Sequence, residues 1–82
     1  MNNVKTELKT LNGNNANTAV TKIQEAFKQG PTHVIIDARN TTFTKEQAHK
    51  IIERATGSYA NKKLPGVVQI YTKEGLVIGG KR

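Results

Sequence analysis

Apolar residues fall along this chain in short runs, and the spacing within each run predicts an element. Val4, Leu8 and Leu11 stand at i, i+4 and i+7, which predicts a short amphipathic helix broken by Asn12-Gly13-Asn14-Asn15. A second helix is predicted from Asn17 or Thr18, either of which can cap it. Its apolar face is Ala19/Val20, Ile23, Ala26 and Phe27, and Gly30-Pro31 stops it. Gly30 suits the left-handed position after a helix, and Pro31 cannot continue one.

Thr32 to Arg39 reads as a strand, rich in β-branched residues between turn formers. A third helix has the clearest start. Thr44-Lys45-Glu46-Gln47 fits a capping box, and Phe43 and Ala48 are spaced as a hydrophobic staple. Ala48, Ile51, Ile52 and Ala55 form its buried stripe, and Gly57 fits the position just past its end. A loop follows from Ser58 to Pro65. Val67–Thr72 and Leu76–Ile78 then form a hairpin around Lys73-Glu74-Gly75. The expected architecture is α+β, a small antiparallel sheet packed on helices in the order ααβαββ. Residues 1–82 are expected as one basic domain, with residues 1–17 a loosely attached N-terminal helix and linker.

Alternation along the strands sorts side chains by face. Val34, Ile36 and Ala38 of the first strand, with Val68, Ile70 and Thr72 of the second, form an apolar set that should meet the helices. The opposite face then gathers His33, Asp37, Arg39, Gln69 and Tyr71, together with Ile35 and Val67.

Size and charge narrow what such a face can do. A chain of 82 residues buries a modest core, and it has no cysteine for a disulfide or a thiolate zinc site. No apolar run approaches the ~20 residues of a membrane span. Thirteen Lys and Arg against six Asp and Glu leave a net charge of +7. Residues 44–82 carry +5 of it, eight basic against three acidic side chains. Such an excess attracts polyphosphates, because binding releases their counterions; it also serves plain solubility. A Gly-rich nucleotide loop, a nucleophile elbow and zinc-ligand spacing are all missing from the sequence. No metal and no cofactor is expected.

Arg39 can fork onto a phosphate, and Tyr71 can stack on a base or donate a hydrogen bond. Asp37 and Arg39 can equally pair with each other as i, i+2 neighbours on a wet sheet face. His33 could exchange a proton near neutral pH, as could His49 on the third helix, although His49 lies beside the buried stripe and suits a surface role. Lys50 and Arg54, an i, i+4 pair, could contact a phosphate backbone; Lys50 could instead pair with Glu46 or Glu53. Lys62 and Lys63 sit in a loop that suits either phosphate contact or solvation. Thr72 ends a strand beside a turn, where its hydroxyl could meet a phosphate.

The stretch Ile36-Asp37-Ala38-Arg39-Asn40 is followed by Phe43-Thr44-Lys45-Glu46-Gln47-Ala48 and Ile52-Glu53-Arg54-Ala55, then by Leu64-Pro65-Gly66-Val67-Val68-Gln69-Ile70-Tyr71-Thr72 and the Gly75 turn. Over roughly residues 32–80 this pattern resembles the C-terminal toxin domains of contact-dependent growth inhibition and related polymorphic toxin systems. In particular it is similar to their small tRNA-cleaving nucleases, grouped with the barnase, EndoU, colicin and RelE-like fold. The resemblance implies a metal-independent endoribonuclease in which the RNA 2′-hydroxyl attacks the adjacent phosphate and leaves a cyclic phosphate. On that implication Arg39 stabilises the phosphorane, Asp37 orients Arg39 or acts as a base, and His33 or His49 is the general acid or base. Thr72, Gln69 and Tyr71 contact phosphate or base, and Lys73, Lys62 or Lys63 completes the electrostatics. The implied partners are tRNA, a cognate immunity protein that is acidic, and in some relatives elongation factor Tu. The implied setting is delivery by a larger secreted or cell-surface effector, with action in the target-cell cytoplasm. One departure stands out: a helix lies between the first and second strands, where that group runs its strands as a meander. A non-catalytic nucleic-acid-binding module and a basic protein-interaction domain are the alternative readings.

Overall fold

A computed structural model describes residues 5–30, 32–59 and 62–80. Val4, Pro31, Lys81 and Arg82 lie outside them. The element order is β1 (Thr6–Thr10), α1 (Ala16–Lys28), β2 (His33–Asp37), α2 (Lys45–Gly57), β3 (Val67–Thr72) and β4 (Gly75–Gly80). The four strands form one sheet in the order β1-β2-β3-β4. The α+β class holds, with two helices packed on a small sheet, and from α1 onward the element types follow the expected order.

Two features correct the expectation. The first predicted helix is strand β1, paired in parallel with β2 from Thr6↔His33 to Thr10↔Asp37. Its spacing of apolar residues is helical, but ladder bonds to the edge of β2 outweigh a local pattern this short. Glu7 and Lys9 pair at 3.4 Å, as i, i+2 neighbours do on a strand and do not on a helix. The sheet is also mixed rather than antiparallel. β2 and β3 are parallel because a helical crossover joins them. Only β3 and β4, joined through Lys73-Glu74, are antiparallel.

Both crossovers step the same way across the sheet, so α1 and α2 lie on one face. The core sits between the layers. Ile23 and Phe27 of α1 and Ile51 and Ile52 of α2 close on Val34, Ile36, Val68, Ile70 and Val77 of the sheet. At the start of α2 the Thr44 hydroxyl accepts from the Gln47 N–H, and the Gln47 side chain accepts from the Thr44 N–H, completing the capping box. The other helix boundaries shift. Asn15 caps α1, in place of Asn17 or Thr18, and its side chain accepts from the Asn17 N–H. Gly57 lies inside α2, whose C-cap is Ser58. Gly30 does take the left-handed conformation, at φ 92°. Gly79 is a close-approach glycine: a Cβ there would lie 2.5 Å from Cγ2 of Ile52, so α2 seats on β4 only without a side chain.

Candidate functional site

The helices cover one face of the sheet and leave the other open. The strand registers align the open face in rows that run across all four strands. Thr10, Asp37, Tyr71 and Leu76 form the row at the carboxyl ends of the parallel strands. Leu8, Ile35, Gln69 and Ile78 form the middle row, and Thr6, His33, Val67 and Gly80 the row at the amino ends. Sequence alternation placed His33, Asp37, Gln69 and Tyr71 on this face, and they are there.

Arg39 reaches the same face from the turn after β2. The Ala38 N–H extends the ladder to the Tyr71 carbonyl at 2.8 Å, and the Thr41 N–H then returns to the Ala38 carbonyl at 3.2 Å. Thr41 is buried; its hydroxyl donates to that same carbonyl and accepts from the Phe43 N–H, so the turn is pinned from below. The turn points Arg39 back over Asp37. Nε donates to Oδ1 at 2.9 Å, Nη2 to Oδ2 at 3.0 Å, and the Arg39 backbone N–H to Oδ1 at 3.2 Å. These side-chain and backbone hydrogen bonds from Arg39 lower the Asp37 pKa to about 2, and the carboxylate raises that of Arg39 in turn. The fork uses only part of the guanidinium. Among the described residues, Nη1 and the outer N–H of Nη2 have no hydrogen-bond acceptor.

Leu8, Ile35, Asp37, Arg39 and Tyr71 line a shallow cleft of about 170 Å³. That is below the ~300–1,000 Å³ of sites that enclose a small molecule. An open cleft of this size suits one residue of a longer ligand. It lies on the open face itself, spanning the middle row and the row at the carboxyl ends of the parallel strands. Lys73 of the β3–β4 turn and Lys45 at the start of α2 stand at the same end. The Lys45 backbone N–H is capped by the Glu74 carboxylate at 2.9 Å.

The other expected site residues are not brought to Arg39. His33 opens β2, about 13 Å along the strand from Asp37 at about 3.3 Å per residue. Its Nδ1 lies 3.2 Å from the Thr32 hydroxyl. Lys62 and Lys63 precede β3, at the same amino end as His33. Thr72 is buried on the helix side, where its hydroxyl donates to the Gly75 carbonyl and accepts from the Glu74 and Gly75 N–H groups. His49, Lys50 and Arg54 are exposed on α2, in the layer behind the sheet. Lys50 stands 3.9 Å from Glu46, and Arg54 donates to the Asn17 side chain. Among the described residues no cluster of three or more His, Cys, Asp or Glu side chains is arranged to hold a metal ion.

Leu8, Leu76, Ile78 and Lys45 are site-face or site-end residues that the sequence reading missed. Leu76 and Ile78 were legible in principle, because they alternate with Val77 in the strand opposite Tyr71 and Gln69. Leu8 was not, since its face depends on a strand that local spacing disguises.

The family model of the contact-dependent growth inhibition CdiA C-terminal domain matches residues 1–77. The chain belongs to this family. It is therefore a CdiA C-terminal toxin domain, and the match takes in β1 as well as the later elements that carry the resemblance. Toxins of these systems are delivered to target cells by a larger surface effector and pair with immunity proteins. No helix among the described residues of this CdiA domain is long and apolar enough to cross a membrane. No curated protein and no solved structure gives a significant match.

Proposed function

We propose that this CdiA domain is an RNA-cleaving toxin, a metal-independent endoribonuclease acting on tRNA. The observation that carries the reading is the Arg39 fork, held by Asp37 beside the exposed Tyr71 ring in a cleft open to a polymer. The remaining N–H groups of Arg39 bind the scissile phosphate. The RNA 2′-oxygen attacks phosphorus, the bond to the 5′-oxygen breaks, and a 2′,3′-cyclic phosphate remains. The 2′-proton passes to water, and the departing oxygen takes a proton from water. Arg39 stabilises the negative charge that gathers on the phosphorane, the contribution expected of a pre-oriented donor. Asp37 positions Arg39. With its pKa near 2 it is a weak base, which favours orientation over proton abstraction. Tyr71 stacks on a neighbouring base, Gln69 in the next row contacts its edge, and Lys73 and Lys45 attract the backbone.

The test is incubation of the purified domain with total tRNA in EDTA, with and without a bacterial extract, beside Arg39→Ala. Discrete fragments with cyclic phosphate ends that vanish in the variant support the reading. Fragments that form only with extract point to a required host protein, elongation factor Tu being the first to add back. Intact tRNA in both arms, with a salt-sensitive gel shift, transfers the function to a non-catalytic RNA-binding module.

A further inference from the structure

Charge is divided unevenly between the two ends of the sheet. At the carboxyl end three cations, Arg39, Lys45 and Lys73, stand among three anions, Asp37, Glu46 and Glu74. Each of those anions is engaged: Asp37 by Arg39, Glu46 by Lys50 at 3.9 Å, and Glu74 by the Lys45 N–H. At the amino end the parallel strands begin and the helices finish, which gathers Lys5, Lys28, Lys62 and Lys63. Of the nearby carboxylates, Glu7 pairs with Lys9, while Glu25 and Glu53 each lie a turn back along a helix. Among the described residues none of the four lysines joins an ion pair.

The same end holds a cleft of about 360 Å³ between the last turns of α1 and α2, lined by Thr21, Gln24, Glu25, Lys28, Ser58 and Tyr59. It has about twice the volume of the Arg39 cleft and falls within the ~300–1,000 Å³ of small-molecule sites. The Gln24 amide donates to the Ser58 hydroxyl at 2.8 Å and so joins the two helices. Half-buried Tyr59 packs against the core and gives the cleft an aromatic wall. Its carbonyl accepts from the Lys62 N–H at 2.9 Å, and Lys62 is held in the left-handed conformation at φ 52°. A residue with a Cβ is uncommon there, and such backbone concentrates at ligand sites. The turn keeps Lys62 and Lys63 beside the Tyr59 backbone.

We infer that this cleft binds one nucleotide of the RNA, apart from the Arg39 site. The base stacks on Tyr59, with Gln24 and Glu25 at its polar edge, and the phosphate lies on Lys28 and Lys63. The inference rests on RNA being the ligand and does not depend on cleavage. The two clefts lie in different layers and at opposite ends of the strands, farther apart than the about 13 Å from His33 to Asp37. A mononucleotide cannot fill both, whereas a folded RNA can. The lysine end anchors a large substrate while Arg39 meets the scissile phosphate.

The experiment measures tRNA binding by fluorescence anisotropy over a salt series, in an Arg39→Ala background that keeps the RNA whole. That background is compared with Lys28→Ala/Lys63→Ala, with Tyr59→Leu, and with the charge-matched control Lys9→Ala/Lys22→Ala, with circular dichroism on each. Leucine at position 59 retains apolar packing and removes the ring. The Lys28/Lys63 pair should bind tRNA about 10-fold more weakly, with a salt slope shallower by about 1.4, the share of two single-strand phosphates. Tyr59→Leu should lose about 10-fold with the slope unchanged, and the control pair should change little. With Arg39 restored, the Lys28/Lys63 pair should raise KM for tRNA cleavage and keep kcat. Unchanged tRNA affinity in both Lys28→Ala/Lys63→Ala and Tyr59→Leu overturns the inference, and so does an equal loss in the control pair. AMP that binds wild type but not Tyr59→Leu, without displacing tRNA, also overturns it, because the cleft then serves a free nucleotide. Cleavage of tRNA with the same KM in wild type and the Lys28/Lys63 pair removes the anchor and leaves the ribonuclease reading. Whole tRNA in wild type, beside the expected binding losses, does the reverse.

Discussion

Asp37 holds Arg39, two residues further along, through three hydrogen bonds to its carboxylate, two from the guanidinium and one from the backbone N–H. The pair closes the turn after β2 and fixes the direction of a long side chain that is otherwise two-thirds exposed, at 66%. A guanidinium oriented in this way loses less rotational freedom on meeting a phosphate.

The roles of the two residues separate by kinetics. Arg39→Ala removes the phosphate donor and should lower single-turnover tRNA cleavage by about 100-fold or more. Arg39→Lys should recover little, because an ammonium cannot fork. Asp37→Asn keeps the shape but loosens the fork, so its loss should be smaller, about 10-fold. A larger loss in Asp37→Asn than in Arg39→Ala would point to a proton-transfer role for the carboxylate.

The carboxyl titration of Asp37 checks the pair without any activity. Its folded pKa lies below the ordinary value of 3.8, at about 2. The depressed value means that the paired carboxylate adds stability above pH 3.8 and that this contribution is lost as pH falls toward 2. A carbon-detected NMR titration should find a midpoint near 2 in wild type, moving up toward 3.8 in Arg39→Gln.

Tyr71 should act through its ring. Tyr71→Ala is expected to weaken binding of a short single-stranded RNA by about 1–3 kcal/mol, and Tyr71→Phe to retain most of the affinity. Fluorescence anisotropy at fixed salt reads both. Equal losses in the two variants would assign the contact to the hydroxyl instead.

Gly79→Ala tests the packing of α2 on β4. The added methyl meets Cγ2 of Ile52, and overpacking of this kind costs about 1–3 kcal/mol in urea unfolding. Combined with Ile52→Ala, which removes Cγ2, the total loss should be smaller than the sum of the two single losses.

Thr44→Ala removes one half of the capping box. It should cost about 1 kcal/mol, with Thr44→Ser close to wild type.

Much of this domain was legible in its sequence, and the parts that were not have a common cause. The α2 capping box, the apolar stripes of both helices, the Gly30 stop and the hairpin depend on residues within a few positions of one another. Alternation likewise separated Val34 and Ile36 from His33 and Asp37, because every second residue of a strand shares a face. The pairing of Arg39 with Asp37 was readable as a near-neighbour alternative, and it forms.

Three things needed the tertiary structure. Residues 6–10 are a strand because the edge of β2 offers hydrogen bonds, a partnership about 27 residues away that local spacing cannot report. His33 and Arg39 share a face but not a site, because alternation assigns a face and says nothing of distance along it. Thr72, predicted to meet a phosphate, has its hydroxyl taken up by its own turn. Short-range sterics and periodicity set the helices, the hairpin and the buried side of each central strand. Strand register and crossover direction decided the rest: which side chains meet at the carboxyl end, and which apolar ones are left in water.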